Sequence, residues 1–429
     1  MEAFIKDITP YLTKMRRMFH AYPEVAWTEY VTTAKIAEEI EKLDFEVEMG
    51  QAILHPHTRM GLPTEDQIEK EEQRAMEAGI NKAYLYLMKG AFTGLKAYFD
   101  TGRKGKHIVL RFDIDALPIN EAEDEAHFPF VHGFHSNRAG YMHACGHDGH
   151  TAIGLGVAHF IHENRHQLNG RFTLLFQPGE EGGRGAKPMV DKGLLDDADV
   201  FLSGHIGIHS LNIGDIVATT DQFLASTKIN VEYFGKSAHA GLEPNEGRNA
   251  LLAAAASSLH LNGITRHAGG ATRINIGTLE AGSGRNIIAD YAKMQLETRG
   301  ASTELNEEYM VLEAMRIIQA SAALYDVTTN VEIVGQAPSA ECQEEWVDFI
   351  NEAVKASTNI KNVIPKLPLG ASEDAAFMLE KVRDNGGAAN YMLFGTPLAA
   401  GHHHPCFDYD EEVLPIAVES ICRVILGWQ

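Results

Sequence analysis

The chain has 429 residues, 45% of them hydrophobic, and a formal net charge of −22 at pH 7. The excess of carboxylates disfavours a nucleic-acid partner, and no apolar run is long enough to span a bilayer. The four cysteines, Cys145, Cys342, Cys406 and Cys422, form no CxxC pair, which argues against a disulfide framework. A chain of this length allows two domains.

The first twenty residues, MEAFIKDITPYLTKMRRMFH, predict an amphipathic helix. Apolar side chains recur along one side of it at Ile5, Ile8, Leu12, Met15 and Phe19. The segment lacks the uninterrupted apolar core of a signal peptide, so we expect a cytoplasmic location.

Residues 53–91 form a segment of unusual composition. It passes from ILHPHTRMGLP into the charged run TEDQIEKEEQRAMEAGINKAY. The run has helical composition and predicts a surface helix or an elongated cap. We interpret the segment as an insertion.

Four apolar runs have the composition of buried strands, and each is followed at once by polar residues that can bind metal or move protons. The runs are HIVLRF, FTLLFQP, VFLSG and YMLFGTP, and the residues after them are Asp113 with Asp115, Glu180 with Glu181, His205, and His402 to His404. In open α/β sheets the functional crevice lies beyond the carboxyl ends of the strands, so these residues can meet although they are far apart in the chain. The pattern predicts an α/β catalytic domain.

The stretch MHACGHDGH places Cys145 and His147 two residues apart, immediately before an apolar helix. A thiolate and an imidazole at this spacing can converge on one zinc or similar transition-metal ion. A buried free cysteine beside a capping histidine is the alternative for this pair, just as Glu180 and Glu181 alone could be solvated loop charges. Because such alternatives would have to hold at every strand end together, a shared metal site is the better explanation.

Residues 225–333 carry a different order of elements. Strand-like STKINVEYFG, a helix at 249–261, the strand-like runs TRINIGTLEAG and YAKMQLETRG, a helix at 305–325 and VTTNVEIVG follow one another. This βαββαβ order predicts a small α+β, ferredoxin-like sandwich that is inserted into the α/β domain. The expected catalytic domain therefore comprises residues 1–224 and 334–429.

Seven motifs follow one another along the chain: RFDIDALP, MHACGHDGHT, FQPGEEGGRGA, GHIG, GKSAHAG, GRNIIAD and GHHHPCFDYDE. Their order resembles the amidohydrolase branch of the co-catalytic metallopeptidases, which includes aminoacylases, hippurate hydrolases and plant auxin-conjugate hydrolases. Within that branch, TRMGLP, FTGLKAYFDTG, ETRGAS and LAAGHH resemble the aminobenzoyl-glutamate subfamily. The resemblance covers nearly the whole chain. It implies a mixed-sheet metallopeptidase domain whose insert is both lid and dimerization surface.

The resemblance also implies a site for two divalent ions, manganese or zinc. The ligand positions match Cys145, His147, Glu181, His205 and His403. The thiolate of Cys145 would bridge or bind the ion pair, and Glu180 matches the general base and acid. His403 is preferred over His402 and His404 because it lies four residues before Phe407, the spacing found in the family.

Further positions in the motifs have implied roles. His239 matches the histidine that the family contributes, usually from the partner protomer, to the oxyanion of the tetrahedral intermediate. Asn286 and Arg299 match positions that face the substrate and its carboxylate, where a guanidinium can bind bidentately. Taken alone, these three residues could instead serve a turn, a strand end and a surface ion pair. Asp113 would orient a ligand, and Arg111 takes the place of a ligand histidine of the wider superfamily.

By this resemblance, we expect an amidohydrolase that cleaves an N-acyl amino acid, with p-aminobenzoyl-glutamate as the substrate. A hippurate-like acyl amino acid or a dipeptide is the alternative substrate for the same site. A non-catalytic subunit of a hetero-oligomer is the alternative of another class, which the complete ligand set and the intact Glu180 oppose. The expected assembly is a homodimer through the lid or a pairing with a homologous second subunit.

Overall fold

The structure is a computed structural model that describes residues 1–428. It separates into two compact units, each with a hydrophobic core of its own. The first unit comprises Met1–Asp221, Glu341–Leu369 and the chain from Phe377, and the second comprises Gln222–Ala340 and Gly370–Ala376. Among the described residues, no helix is both long and apolar enough to cross a membrane.

The secondary structure alternates between helices and strands. The helices are α1 Glu2–His20, α2 Tyr30–Ile40, α3 Glu65–Glu77, α4 Lys82–Met88, α5 Phe128–Val131, α6 His147–Glu163, α7 Ala186–Asp191, α8 Ala250–Leu261, α9 Leu312–Leu324, α10 Glu345–Val354, α11 Ala375–Asp384 and α12 Val413–Gly427. The strands are β1 Glu46–Met49, β2 Leu95–Asp100, β3 His107–Asp113, β4 Arg171–Gln177, β5 Val200–Ile206, β6 Asp215–Asp221, β7 Ala225–Phe234, β8 Thr272–Ala281, β9 Tyr291–Gly300, β10 Thr328–Ala337, β11 Asn362–Pro368 and β12 Ala388–Phe394.

The first unit is built on an eight-stranded mixed sheet with the order β1-β2-β4-β3-β5-β12-β6-β11. The four central strands, β4, β3, β5 and β12, are parallel to one another. They are the four apolar runs that the sequence predicted, and β3 is buried at every position because its strand lies inside the sheet. Their carboxyl ends therefore share one edge of the sheet, and the mixed α/β sheet confirms the predicted fold class.

Helices α1, α6 and α12 form the layer that covers this sheet, with α6 packed against both other helices and against β3. The apolar side of α1 is buried, as its spacing predicted. Two glycines let α6 lie close to its neighbours. A Cβ atom on Gly154 would lie 2.7 Å from the rings of Phe112 and Phe176, and one on Gly156 would lie 2.7 Å from Leu12.

The second unit is a four-stranded antiparallel sheet with the order β10-β7-β9-β8. Helices α8 and α9 pack against each other and on the sheet. Strand β7 alternates buried and less buried side chains, which is the pattern of a sheet with one covered face. Val231, Met294 and Ile318 lie in the core between the layers. The observed βαββαβ order is the predicted ferredoxin-like sandwich.

Residues 53–91 fold into two helices, α3 and α4. Thr64 begins α3 with a capping box, in which its side chain accepts from the backbone of Gln67 and the Gln67 side chain accepts from the Thr64 backbone. The helix is fastened by an ion pair of 2.9 Å from Arg138 to Glu71, and Arg74 donates to the Tyr22 hydroxyl at 2.8 Å. The helical prediction for this segment is confirmed.

Candidate metal centre

In the first unit, side chains with metal-binding atoms gather at the amino-terminal end of α6 and at the carboxyl ends of β4 and β5. They form overlapping groups in which the ligand atoms lie within 4.8 Å of one another. Three of these groups are Cys145 with His147 and His205, Cys145 with Glu181 and His403, and His147 with Glu180 and Glu181; a fourth is Asp113 with His147 and His150. Because Cys145 belongs to two groups, the cluster offers two adjoining places for an ion that share one sulfur atom.

His147 opens α6 after Gly146, whose φ of 91° requires the left-handed region that glycine adopts readily. Its Nδ1 donates to the backbone carbonyl of Asp115 at 2.9 Å. This bond places a proton on Nδ1, so Nε2 is the nitrogen that can bind a cation. Nε2 is buried, has no hydrogen-bond partner among the described residues and lies 3.8 Å from Oε2 of Glu180.

His205 has the same arrangement. Its Nδ1 donates to the carbonyl of Ile206 at 2.7 Å, and its Nε2 lies 3.5 Å from Sγ of Cys145. Burial, with the charge of Glu181, raises the pKa of Cys145 to about 12. A bound cation reverses this preference, because a coordinated thiol gives up its proton.

The loop after β4 holds Glu180 and Glu181 through their backbone. The carboxylate of Asp115 accepts from the N–H of Glu180 at 3.0 Å and from that of Glu181 at 2.9 Å. The N–H of Gly179 donates to the buried carboxylate of Glu29 at 2.8 Å. Oε1 of Glu181 is buried without a hydrogen-bond partner among residues 1–428. The loop therefore presents a bare carboxylate oxygen to the cluster.

The three consecutive histidines 402–404 each have a different partner. Nε2 of His402 lies 3.4 Å from the carbonyl of Ile206, and Nδ1 of His404 accepts from the backbone of Cys406 at 3.0 Å. Nε2 of His403 instead faces Oε1 of Glu181 at 3.5 Å. This placement favours His403 as the ligand.

Asp113 does not have the role that the sequence predicted for it. It was expected to orient a metal ligand, but it makes no hydrogen bond to the non-coordinating nitrogen of a proposed ligand histidine. It accepts from Nδ1 of His150 at 2.5 Å and from Arg111 at 2.7 Å, while Nε2 of His150 accepts from the N–H of Ile206. Both nitrogens of His150 are thus used, although its ring stacks on that of His147. The orienting role belongs to Asp115, which the sequence placed only as a second aspartate at the strand end.

The donor set fits a pair of divalent transition-metal ions. Buried acceptors almost always have a donor, yet Nε2 of His147 and Oε1 of Glu181 have none among the described residues. Both atoms point into one cluster with the sulfur of Cys145. Thiolate, imidazole and carboxylate together suit zinc or manganese, and a cation would satisfy all of these lone pairs at once.

The second unit carries the remaining predicted residues. Nδ1 of His239 accepts from two backbone N–H groups, those of Gly241 and Leu242, both at 3.1 Å. Nδ1 is therefore unprotonated, and the neutral ring carries its proton on Nε2. The backbone of Asn286 accepts from the residue after His239, so these two predicted residues lie side by side. Arg299, on β9, makes an ion pair of 2.8 Å with Glu297.

The profile of peptidase family M20/M25/M40 matches residues 109–427. One of the subunits of the p-aminobenzoyl-glutamate hydrolase of Escherichia coli (strain K12) is 42% identical over 429 residues, covering 100% of this chain and 98% of the relative. The indole-3-acetyl-aspartic acid hydrolase of Enterobacter agglomerans is 41% identical over 432 residues, covering 100% and 99%. The crystal structure of an aminobenzoyl-glutamate utilization protein from Klebsiella pneumoniae superposes with a TM-score of 0.86 at 36% identity, covering 100% and 99%. These likenesses confirm the resemblance drawn from the motifs, and the chain belongs to the hydrolases of peptidase family M20/M25/M40.

Proposed function

We propose that the chain is a metal-dependent amidohydrolase that cleaves p-aminobenzoyl-glutamate to p-aminobenzoate and glutamate. One observation carries the reaction class. Two groups of ligand atoms share the sulfur of Cys145, and the buried acceptors of His147 and Glu181 have no donor among the described residues. The substrate is supported by the names of the Escherichia coli and Klebsiella pneumoniae relatives.

The ions are manganese or zinc, held by the residues of the cluster. The proposed ligands are Cys145, His147, Glu181, His205 and His403. When bound, two such ions lower the pKa of a water molecule and polarise the scissile carbonyl. The thiolate favours zinc, and the carboxylate and imidazoles also accept manganese.

Glu180 is the proposed general base and acid. Its backbone is held by Asp115, and its carboxylate lies 3.8 Å from Nε2 of His147, so it borders the ligands. It takes a proton from the attacking water and passes that proton to the amide nitrogen as the C–N bond breaks. Such proton transfer contributes roughly a hundred- to ten-thousand-fold to the rate.

Residues of the second unit are proposed to contact the substrate. The proton that His239 carries on Nε2 suits donation to an oxyanion, because both bonds to Nδ1 come from backbone donors. Asn286, adjacent to His239, and Arg299 are proposed to bind the α-carboxylate. Within residues 1–428 the ion pair between Arg299 and Glu297 uses only Nε, so the two terminal nitrogens of the guanidinium stay available.

The test is reconstitution of the purified chain with manganese and, separately, with zinc, followed by measurement of p-aminobenzoate released from p-aminobenzoyl-glutamate. Release that depends on added metal supports the proposal. Cleavage of hippurate but not of p-aminobenzoyl-glutamate would keep the mechanism and replace the substrate. Lack of cleavage with either metal and any acyl amino acid would favour a non-catalytic subunit.

Indole-3-acetyl-aspartate is the second candidate substrate. The Enterobacter agglomerans relative that is named for it is 41% identical over the whole chain, nearly the same identity as the first relative. Both candidates join an aromatic acyl group to an amino acid with two carboxylates. Comparison of kcat/KM for the two conjugates under one metal condition decides between them.

The assembly is proposed to be a homodimer through the second unit, and the alternative is a pairing with a homologous second subunit. Leu259 on α8, and Leu312 and Leu324 on α9, are exposed apolar side chains that such an interface would cover. The Escherichia coli relative is named as one subunit of its enzyme, which is why a second chain is retained. Sedimentation of the purified chain, compared with that of leucine-to-glutamate variants at these positions, tests the interface.

A cytoplasmic location stays a prediction.

A further inference from the structure

A cavity of about 400 Å³ opens within the first unit beside the candidate metal centre. Its walls come from parts of the chain that are distant in sequence. They include Gly61 and Pro63 of the segment 53–91, Leu117, Tyr141, Glu181 and Arg184. Since Glu181 lines both the cavity and the metal centre, a molecule bound at the centre can extend one substituent into this cavity.

Arg184 is a cation in this wall without a direct ion pair. Burial lowers the pKa of its guanidinium, although the charges of Asp115, Glu181 and Glu29 act on it from a distance. Its Nη1 donates to the carbonyl of Gly61 at 3.3 Å, and its Nε is buried with no hydrogen-bond partner among residues 1–428. No carboxylate in that part of the chain lies within 4.0 Å of its guanidinium nitrogens. Burying much of a guanidinium without a direct ion pair is unfavourable, so this arrangement is typical of a position that receives an anion from a ligand.

The nearby carboxylates are engaged elsewhere. Asp115 accepts from two backbone N–H groups, Glu29 accepts from a backbone N–H and a threonine hydroxyl, and Glu71 pairs with two other arginines. Oε1 of Glu181 faces His403 at 3.5 Å and is the oxygen proposed to bind metal. None of these carboxylates takes up the charge of Arg184 directly.

The loop is shaped to hold this guanidinium in place. A Cβ atom on Gly182 would lie 2.8 Å from Nε of Arg184 and 3.3 Å from its Cζ. The glycine, with a φ of 90°, therefore leaves the space in which the side chain lies. Because Arg184 follows Glu181 by three residues in the same loop, the cation is fixed relative to the metal centre.

On the basis of the proposed function, we propose that Arg184 binds the side-chain carboxylate of the amino acid that the enzyme releases. A guanidinium can bind this carboxylate bidentately, which a point charge cannot do. Arg184 is thereby a specificity-determining residue that makes the enzyme prefer conjugates of glutamate or aspartate over those of neutral amino acids. The 53–91 segment helps to position the guanidinium, because the carbonyl of Gly61 accepts a hydrogen bond from Arg184.

The test compares p-aminobenzoyl-glutamate with p-aminobenzoyl-glutamine, which has the same shape but no side-chain charge. In the metal-loaded Arg184→Met variant we expect kcat/KM for the glutamate conjugate to fall about 30-fold or more, the loss typical of one removed partner in a buried charge pair. The glutamine conjugate should change less than about threefold. Arg184→Lys should lie between wild type and Arg184→Met. The matched control is Lys187→Met, which removes a partly exposed cation that pairs with Asp191.

Equal losses on both conjugates, or a wild-type enzyme that does not distinguish them, would overturn the role of Arg184. Calorimetric binding of each conjugate to the metal-loaded chain tests the same point without hydrolysis. If wild type cleaves neither conjugate, the proposed function fails by itself. Weaker binding of the glutamate conjugate alone to Arg184→Met would then still support the anion site, and unchanged binding would remove it.

Discussion

Two polar clusters meet at the start of α6, and they differ in how their polar atoms are satisfied. The ligand cluster is the set of proposed metal ligands, Cys145, His147, Glu181, His205 and His403. The arginine cluster consists of Arg16, His20, Glu121, Asp148 and Tyr409. His147 and Asp148 are consecutive residues, so the boundary between the clusters runs between two neighbouring side chains.

The polar side-chain atoms of the arginine cluster have hydrogen-bond partners within the cluster or next to it. Nε of Arg16 donates to Asp148 at 2.9 Å. Nδ1 of His20 lies 2.8 Å from the carboxylate of Asp148, and Nε2 of His20 lies 2.9 Å from the carboxylate of Glu121. The ligand cluster, by contrast, leaves acceptors of His147 and Glu181 without donors among the described residues. A saturated network stabilises the fold, whereas the open acceptors of the other cluster support the proposed binding of a cation.

The largest expected effect separates the proposed proton transfer by Glu180 from metal binding by its neighbours. Glu180→Gln should lower kcat by roughly a hundred- to ten-thousand-fold, because the amide cannot take a proton from water. Metal content, measured on the same preparation, should stay at the wild-type value. Glu163→Gln makes the same change at an exposed position of α6 and should leave kcat unaltered. An unchanged rate in Glu180→Gln would remove this residue from the mechanism.

The next largest effect is expected from removing the charge of Arg16 from the arginine cluster. Arg16→Met leaves the buried carboxylates of Asp148 and Asp408 without their cation, so we expect the free energy of unfolding to fall by about 3–5 kcal/mol. Chemical denaturation measures it. Arg17→Met is the matched control, since its partly exposed ion pair with Glu411 is expected to be worth less than about 1 kcal/mol. Similar losses in both variants would contradict the distinction.

The arginine cluster should also give a signature in pH. Burial alone would raise the pKa of Glu121, but hydrogen bonds from His127 and His20 lower it to about 2 from 4.5. A carboxyl group with a lowered pKa stabilises the fold above its unfolded pKa and loses that contribution as pH falls. Glu121→Gln should therefore cost about 3 kcal/mol at pH 7, with the difference from wild type shrinking from about pH 4.5 toward pH 2.

Denaturation curves of both proteins across that range provide the measurement. Glu123→Gln, at an exposed position two residues along, should follow wild type at every pH. A difference that is independent of pH would mean that Glu121 stabilises the fold by packing rather than by its charge.

The smallest expected effect concerns the cation itself. At a concentration about a hundred times the dissociation constant, a metal that binds only the folded chain adds about 2.7 kcal/mol of stability. We expect manganese or zinc to raise the melting temperature of wild type and not that of Cys145→Ala, which lacks the shared sulfur. Cys342→Ala, at a buried thiol outside both clusters, should keep the metal-dependent rise. An equal rise in Cys145→Ala would show that the sulfur is not a ligand.

Much of the first unit could be predicted from the sequence because its strands are buried on both faces. Such strands are continuous apolar runs, and the residues after them must lie at one edge when the strands are parallel neighbours. β4, β3, β5 and β12 are neighbours in this way, which brings Glu181 and His205 close to the start of α6. The fold class and the family are confirmed, while the ligand assignments and the domain boundaries stay predictions.

The hydrogen-bond partners of the site could not be predicted. Asp115 accepts from the backbone N–H groups of Glu180 and Glu181, which lie 65 and 66 positions further along the chain. No periodicity in the sequence encodes such a pairing. His150 was visible in the motif, but only the structure shows that both of its nitrogens are used. Arg184 gave no signal either, because an arginine without an ion pair is recognised only when its surroundings are known.

The close packing of α6 has a consequence for how the centre is assembled. Gly154 and Gly156 let the helix press against aromatic rings on one side and against Leu12 on the other, so it can neither roll nor slide without a clash. The imidazole at its first turn is therefore delivered to its position by the folding of the core. If His147 is a ligand as proposed, an ion would meet it already oriented, and little of the binding free energy would be spent on reorganising this part of the chain.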